Sequence, residues 1–448
     1  MLISSILYHI NGLLNFFYKG PYNSSTIQSN DHFHLDDEVK LHNGHQLHSL
    51  QKWASKTKTE TLDSMNKNDF DFSFVLGNEA SDLDSVASTV GLAYFLDTVN
   101  NDQKQRFVPL IQRNEDTIDL RKEIKLALGD SNISHNDVLT LDELPLKVKE
   151  LAPKINGIYL VDHNNPVNDW ELAHVRGVID HHKQRGSNHS SDANPYIIEH
   201  TKSCTSLVTR EISGILKEGN DEVVNDLSLL LLSAIALDTK GLTDATDVDI
   251  ESARTLYKSI FKKLDDKKFR KYVKQLFKKF KKATKDLDHL NFLELLMRDY
   301  KGDYVENKHL HRLHVGYASI PISIEEQIKR TPSKSLDDYR NIERNFMVSV
   351  NSDINFILSK HKVKDNERDE KIKVRELSVL VRNDDHLNEK QAQIAFDKIV
   401  NAIETHLDVR VEDDEFNEHG KRRIWVQNNE GVGRKIVRPV VENALKDM

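Results

Sequence analysis

A single cysteine, Cys204, occurs in 448 residues, so no intrachain disulfide forms and no cysteine-rich zinc site can be built. Such a chain is expected in a reducing compartment, the cytoplasm first. Two glycines never stand side by side, and there is neither an internal repeat nor a low-complexity tract. Basic charge is not in excess: 63 Lys and Arg face 71 Asp and Glu, a net charge of −8. That balance argues against a general nucleic-acid binder and leaves only local basic patches. After the first 20 residues no apolar run approaches the length of a membrane span. The opening MLISSILYHINGLLNFFY lacks the Lys or Arg of a secretory n-region, lacks the Arg of a mitochondrial presequence, and is interrupted by Ser, His and Asn. It reads as a surface-lying or disordered leader, with membrane association of residues 1–20 the weaker reading.

What is present is globular: 38% hydrophobic and 30% charged residues, enough chain for two or three domains. Residues 1–45 read as an extension. FSFVL (72–76), RFVPLI (106–111), GIYLV (157–161) and RGVI (176–179) are short apolar runs separated by helical patterns. This alternation predicts an α/β fold, a parallel sheet with helices on both faces. Helices are expected over 205–216 and 224–237, the second apolar enough to be buried. Residues 258–285 read as one basic amphipathic helix, with Phe269, Val273, Leu276 and Phe280 on its apolar face. Its lysines are either a solvated surface or an attractive field for a polyanion. After residue 291 the pattern restarts as a second, smaller α/β domain. LHVGYASIP, RNFMVSV, VRELSVLV and RRIWVQ are its expected strands, 389–405 its helix, and 361–373 and 412–423 its exposed loops. The expected division is therefore 46–257, a linker at 258–290, and 291–448.

Acids stand repeatedly where apolar elements end. FSFVL runs into Leu76-Gly77-Asn78-Glu79-Ala80-Ser81-Asp82-Leu83-Asp84-Ser85, GIYLV into Asp162-His163-Asn164, RGVI into Asp180-His181-His182, and the apolar helix into Asp238-Thr239. One Asp after a strand is an ordinary turn residue or N-cap. Four such places, at the strand ends where open parallel sheets bind ligands, predict a shared site. Clustered carboxylates repel unless a cation sits among them, and Asp, His and Asn suit Mn²⁺ or Mg²⁺. Two such ions activate water and clamp phosphate oxygens. Adjacent histidines at a strand end are expected to point to opposite sides.

Taken in order, GNEASDLDS, VDHN, VIDHH and LDT resemble the signature of the DHH phosphoesterase superfamily. RDYK (298–301), VGYAS (315–319) and GVGRKIVRP (431–439) are similar to the second domain of its exopolyphosphatase, prune and family II pyrophosphatase branch. The resemblance spans roughly residues 70–440. It implies two divalent cations held by Asp82, Asp84, Asp162, His181 and Asp238, with Asn78 and Asp180 as weak or supporting ligands. It implies that His182 contacts the phosphate, and that Lys301, Arg434 and Lys435 reach the substrate from the second domain. It implies hydrolysis of terminal phosphate from inorganic polyphosphate, with no nucleic-acid partner. Pyrophosphatase or prune-like cyclic-nucleotide or short-chain activity are the alternatives, and a non-catalytic phosphate-sensing scaffold is the rival of another class. Asn78 departs from the family pyrophosphatases, which carry His there. Gly433-Arg434-Lys435 departs from their Ser-Arg-Lys, losing a hydroxyl. Within this resemblance Cys204 packs a helix start and is no nucleophile.

Overall fold

Each apolar run that the sequence sets between helical patterns is a strand of one sheet. In the computed structural model, β1 (Phe72–Leu76), β2 (Arg106–Ile111), β3 (Leu139–Thr140), β4 (Gly157–Val161), β5 (Val175–Asp180) and β6 (Tyr196–Ile198) pair in the order β3-β2-β1-β4-β5-β6. Every pairing is parallel. All five residues of β1 are buried, as expected for a central strand covered on both faces. Phe72, Phe74 and Leu76 pack with Met65, Leu151 and Trp170 on one side. On the other lies α1 (Leu83–Val99), backed by α2 (Cys204–Ile215) and α3 (Glu222–Asp238). α3 is buried almost throughout, from Val223 to Ala236, so its side chains are apolar around the whole circumference.

The model describes residues 47–446 except 101–104, 185–191, 216–221, 308–310, 366–369, 384–385, 413 and 428–430. The expected extension at 1–45 and its leader lie outside the described residues.

The basic stretch differs from the single helix expected over 258–285. A helix α4 (Asp247–Phe261) ends at Lys262, which takes φ 55°, and α5 (Asp266–Lys285) starts anew. The reason is Asp265, whose side chain accepts the Lys268 N–H and caps the new helix. Phe269, Val273, Leu276 and Phe280 are buried, as their spacing requires, against α3 and its neighbours.

A second six-stranded sheet runs β11-β12-β10-β9-β8-β7. Its strands are β7 (Tyr300–Asn307), β8 (His311–Ile320), β9 (Ile354–Asp365), β10 (Glu370–Val381), β11 (Val409–Val411) and β12 (Arg422–Gln427). Two expectations fail here. RNFMVSV is helical, inside α6 (Leu336–Ser349). β8 and β9 are parallel, so the chain between them must cross over, and Tyr339, Phe346 and Met347 share one buried helical face. The charged run 361–373 is a paired arm of β9 and β10, not a loop. Its alternation hides under Lys, Asp and Glu, and its apolar cross-strand pair, Val363 and Ile372, is exposed. The expected helix at 389–405 is α7 (Glu389–His406), and α8 (Arg434–Lys446) closes the chain.

The strand order reverses direction at β1 and β4: from β1 the sheet grows outward through β2, and from β4 through β5. The crevice beyond the C-terminal ends of these two strands is the switch point where such sheets bind ligands.

Candidate metal centre

After β1 the chain turns sharply. A Cβ on Gly77 would meet the Thr89 hydroxyl at 2.8 Å, so only glycine fits there. Ser81 takes φ 44°, and Asp82 caps α1 by accepting the Ser85 N–H at 3.1 Å. Asp82 is thus in part the ordinary cap that its position suggests. Asp84, one turn further, is not. Its buried carboxylate accepts the Ser203 hydroxyl (2.7 Å), the Cys204 N–H (2.7 Å), and the Thr205 N–H (2.8 Å) and hydroxyl. It therefore closes the start of α2 from another part of the chain.

Beyond β4, Asp162 is buried in the left-handed region at φ 60°. Its Oδ2 accepts from Asn78 Nδ2 (2.6 Å) and the Ser85 hydroxyl, and its Oδ1 lies 3.1 Å from His181 Nε2. Asn78 thus orients Asp162, while its own Oδ1 accepts the Ala80 N–H. Beyond β5, Asp180 is fully buried and accepts the His181 N–H (2.8 Å), His182 Nδ1 (2.9 Å) and Asn164 Nδ2. His181 Nδ1 meets the Thr201 carbonyl at 3.1 Å, which leaves Nε2 for the carboxylates. The two imidazoles do not diverge as expected. They stand edge to face with centroids 4.4 Å apart, because β5 ends at Asp180 and strand alternation stops with it.

One ligand atom each from Asp162, Asp180, His181 and His182 lies within 4.8 Å of the others. Asp84 Oδ2 is 3.9 Å from His181 Nε2. Asp238 ends α3, and its Oδ2 is buried with no hydrogen-bond partner among the described residues.

The electrostatics divide the acids into two sets. Burial pushes the Asp162 and Asp180 carboxyls up. Hydrogen bonds and charge from His181 at Asp162, and from His182 at Asp180, outweigh it and hold both below the usual range. Burial and then Asp162 raise Asp82. The same two causes raise Asp84 to about 6, and burial with Asp84 and Asp82 raises Asp238 well above the ordinary carboxylate value. On His181, burial pulls downward, but the Asp162 hydrogen bond and the Asp84 charge lift the imidazole to about 9. Three acids thus stand short of positive charge beside two that imidazoles already neutralise. Oxygen and imidazole donors around an orphan carboxylate oxygen fit hard or borderline divalent cations. Cys204 is no donor here: its Sγ accepts the Asp162 N–H and faces the Ile179 carbonyl, 3.2 Å each, and burial raises its thiol well above the usual value.

From the second sheet, Lys301 on β7 lies in the field of Glu79 and Asp82. Arg434, the first residue of α8, donates to Asp299 at 3.4 Å, and Lys435 is exposed. The structure therefore brings Lys301 to the acids and leaves Arg434 on a carboxylate of its own. Ser203 and Thr205, which hold Asp84, escaped the sequence reading because hydroxyls in a helix start carry no pattern distinct from capping.

The model of the DHH family, N-terminal domain, matches residues 73–235, the stretch that carries all the acids but Asp238. Residues 73–235 are a DHH-family domain. Along the whole chain, the "Putative exopolyphosphatase" of Schizosaccharomyces pombe is 29% identical over 390 residues, 84% of this chain and 92% of that protein. The "Probable manganese-dependent inorganic pyrophosphatase" of Lactobacillus helveticus is 28% identical over 180 residues, 39% of this chain and half of that protein. The crystal structure of a "putative family II inorganic pyrophosphatase" from Methanococcus jannaschii superposes with a TM-score of 0.50 at 20% identity. It covers 83% of this chain and 99% of its own, so the fold reaches beyond the DHH domain into the second sheet.

Proposed function

We propose that this protein is an exopolyphosphatase that hydrolyses the terminal phosphoric anhydride of inorganic polyphosphate with the help of two divalent cations, Mn²⁺ or Mg²⁺. The observation that carries the proposal is the set of under-neutralised acids, Asp82, Asp84 and Asp238, beside the Asp162–His181–His182 cluster at the switch point. The similarity to an exopolyphosphatase over 84% of the chain, against 39% for a pyrophosphatase, supports the longer substrate.

In this reading Asp82, Asp84, Asp162, His181 and Asp238 hold the cations, and Asn78 and Asp180 orient Asp162 and His182. Bound there, the cations supply Lewis-acid charge to the phosphate oxygens and to the attacking water. His182 donates Nδ1–H to Asp180, and its half-exposed ring offers Nε2 to the phosphate. Lys301, Arg434 and Lys435 neutralise charge on the phosphoryl groups, Arg434 by leaving Asp299. The division into 46–257, 258–290 and 291–448 belongs to the same proposal, the first part holding cations and the last holding substrate. The lone buried thiol fits a cytoplasmic home. Among the described residues no helix is long and apolar enough to cross a membrane.

The test is phosphate release from long polyphosphate, pyrophosphate and cAMP, with Mn²⁺ or Mg²⁺. Preferred turnover of polyphosphate is expected. Turnover of pyrophosphate alone would move the assignment to a pyrophosphatase, and no turnover of any of them would favour the scaffold.

Cation loading should depend on pH with a defined sign. Asp84 is protonated below about 6 and His181 below about 9 in the cation-free protein, and both must lose that proton to coordinate. Mn²⁺ affinity should therefore rise from pH 6 to pH 9, with protons released on binding. Calorimetry in buffers of different ionisation enthalpy reads both, and affinity that is flat across that interval would remove these two residues from the ligand set.

A further inference from the structure

Three arginines crowd a cleft beside the metal centre that the mechanism above leaves idle. Ser81, Arg113, Thr117, Arg121 and Arg298 line about 220 Å³ of space open to solvent. Ser81 directly precedes Asp82, and Arg121 is one of the two cations whose charge most lowers the Asp82 carboxyl. The cleft is therefore continuous with the place where the terminal phosphate is proposed to sit.

Its charge is poorly balanced. Arg298 donates to Glu123 at 3.1 Å and to the Leu120 carbonyl at 3.2 Å. Arg113 donates to the carbonyls of Met297 (3.3 Å) and Tyr300 (2.9 Å). Arg121, 8% exposed, meets only Glu123 among the described residues, and that at 3.5 Å. A guanidinium has five donors, so most of those on Arg121 are unused. Glu123 is thus the one carboxylate shared by two of the three arginines. Of the other acids near Arg113, Asp299 already meets Arg434, and Glu79 lies in the field of Lys301. Burial pulls the Arg113 guanidinium down to about 10, with repulsion from Arg121 the next cause, and Arg298 is lowered by burial as well. Buried cations that repel one another are costly to hold unless an anion joins them.

We propose that this cleft is a phosphate subsite, in which Arg121 holds the phosphoryl groups of the substrate beyond the scissile bond. The subsite rests on the exopolyphosphatase reading for its substrate, although an oxyanion as such needs only the arginines. It gives a long chain a second grip that orthophosphate leaving the metal centre does not need.

The test uses the full chain with Mg²⁺ and reads binding without turnover. The probe is an imido-bridged tripolyphosphate, with orthophosphate as the second arm. Arg121→Gln should lose about tenfold or more in tripolyphosphate affinity, the scale of one charge-assisted contact. Orthophosphate affinity should change far less. The melting temperature of the variant in phosphate-free buffer should equal or exceed that of wild type, because a repelled cation is gone. Arg121→Lys should recover part of the affinity. Unchanged tripolyphosphate affinity in Arg121→Gln overturns the subsite. So does a loss confined to orthophosphate, or a lower melting temperature with affinity intact, which marks a structural arginine. If wild type binds the tripolyphosphate through Arg121 yet hydrolyses no polyphosphate, the exopolyphosphatase reading falls and the subsite stands.

Discussion

Asp162→Asn should fold, and should lose polyphosphate turnover by roughly 10³-fold or more, about 4 kcal/mol of transition-state stabilisation. Asparagine tolerates the left-handed backbone at φ 60°, so the turn after β4 survives. What does not survive is an acceptor on both oxygens. Asn78 and Ser85 donate to one oxygen of Asp162 and His181 approaches the other. An amide presents one oxygen and one NH₂, so one of these donors must face another donor. It also removes the charge that keeps His181 and the neighbouring cations in place. Phosphate release reads the loss, and circular dichroism with thermal melting checks the fold. Wild-type turnover in this variant would take Asp162 out of the reaction.

Arg422→Met should cost about 3–5 kcal/mol of stability, a shift read directly in the urea midpoint. Arg422 on β12 is wholly buried in the second sheet. Its Nη1 meets Glu343 at 2.6 Å and its Nε meets Glu418 at 3.0 Å. Methionine fills similar space but leaves Glu343, itself fully buried, as an uncompensated charge. Adding Glu343→Gln should return part of the loss, because the amide oxygen still accepts from Asn355 Nδ2, now 2.8 Å from Glu343. If the single and double variants prove equally unstable, packing rather than charge is the cause.

How far the sequence spoke depended on what carried each element. β1, β2, β4 and β5 were legible because central parallel strands are nearly all apolar. The arm of β9 and β10 was not, because its strands leave the core and its pairs are charged. RNFMVSV was misread because seven apolar-rich residues fit either period, and only the parallel pairing of β8 and β9 demands a helix there. At the site, the acids stood out by recurring after apolar runs. Arg113, Arg121 and Arg298 did not: their cleft exists only because residues far apart in sequence fold to one place.

The carboxylate of Asp84 has a consequence of its own. The same two oxygens that face His181 also anchor the first turn of the helix opening at Cys204. Recruitment by an ion and anchoring of that turn draw on one pair of lone-pair sets, so occupancy of the centre is transmitted mechanically to the α2 terminus. Amide hydrogen exchange at Cys204 and Thr205 becomes a natural gauge of how full the centre is, readable without any substrate.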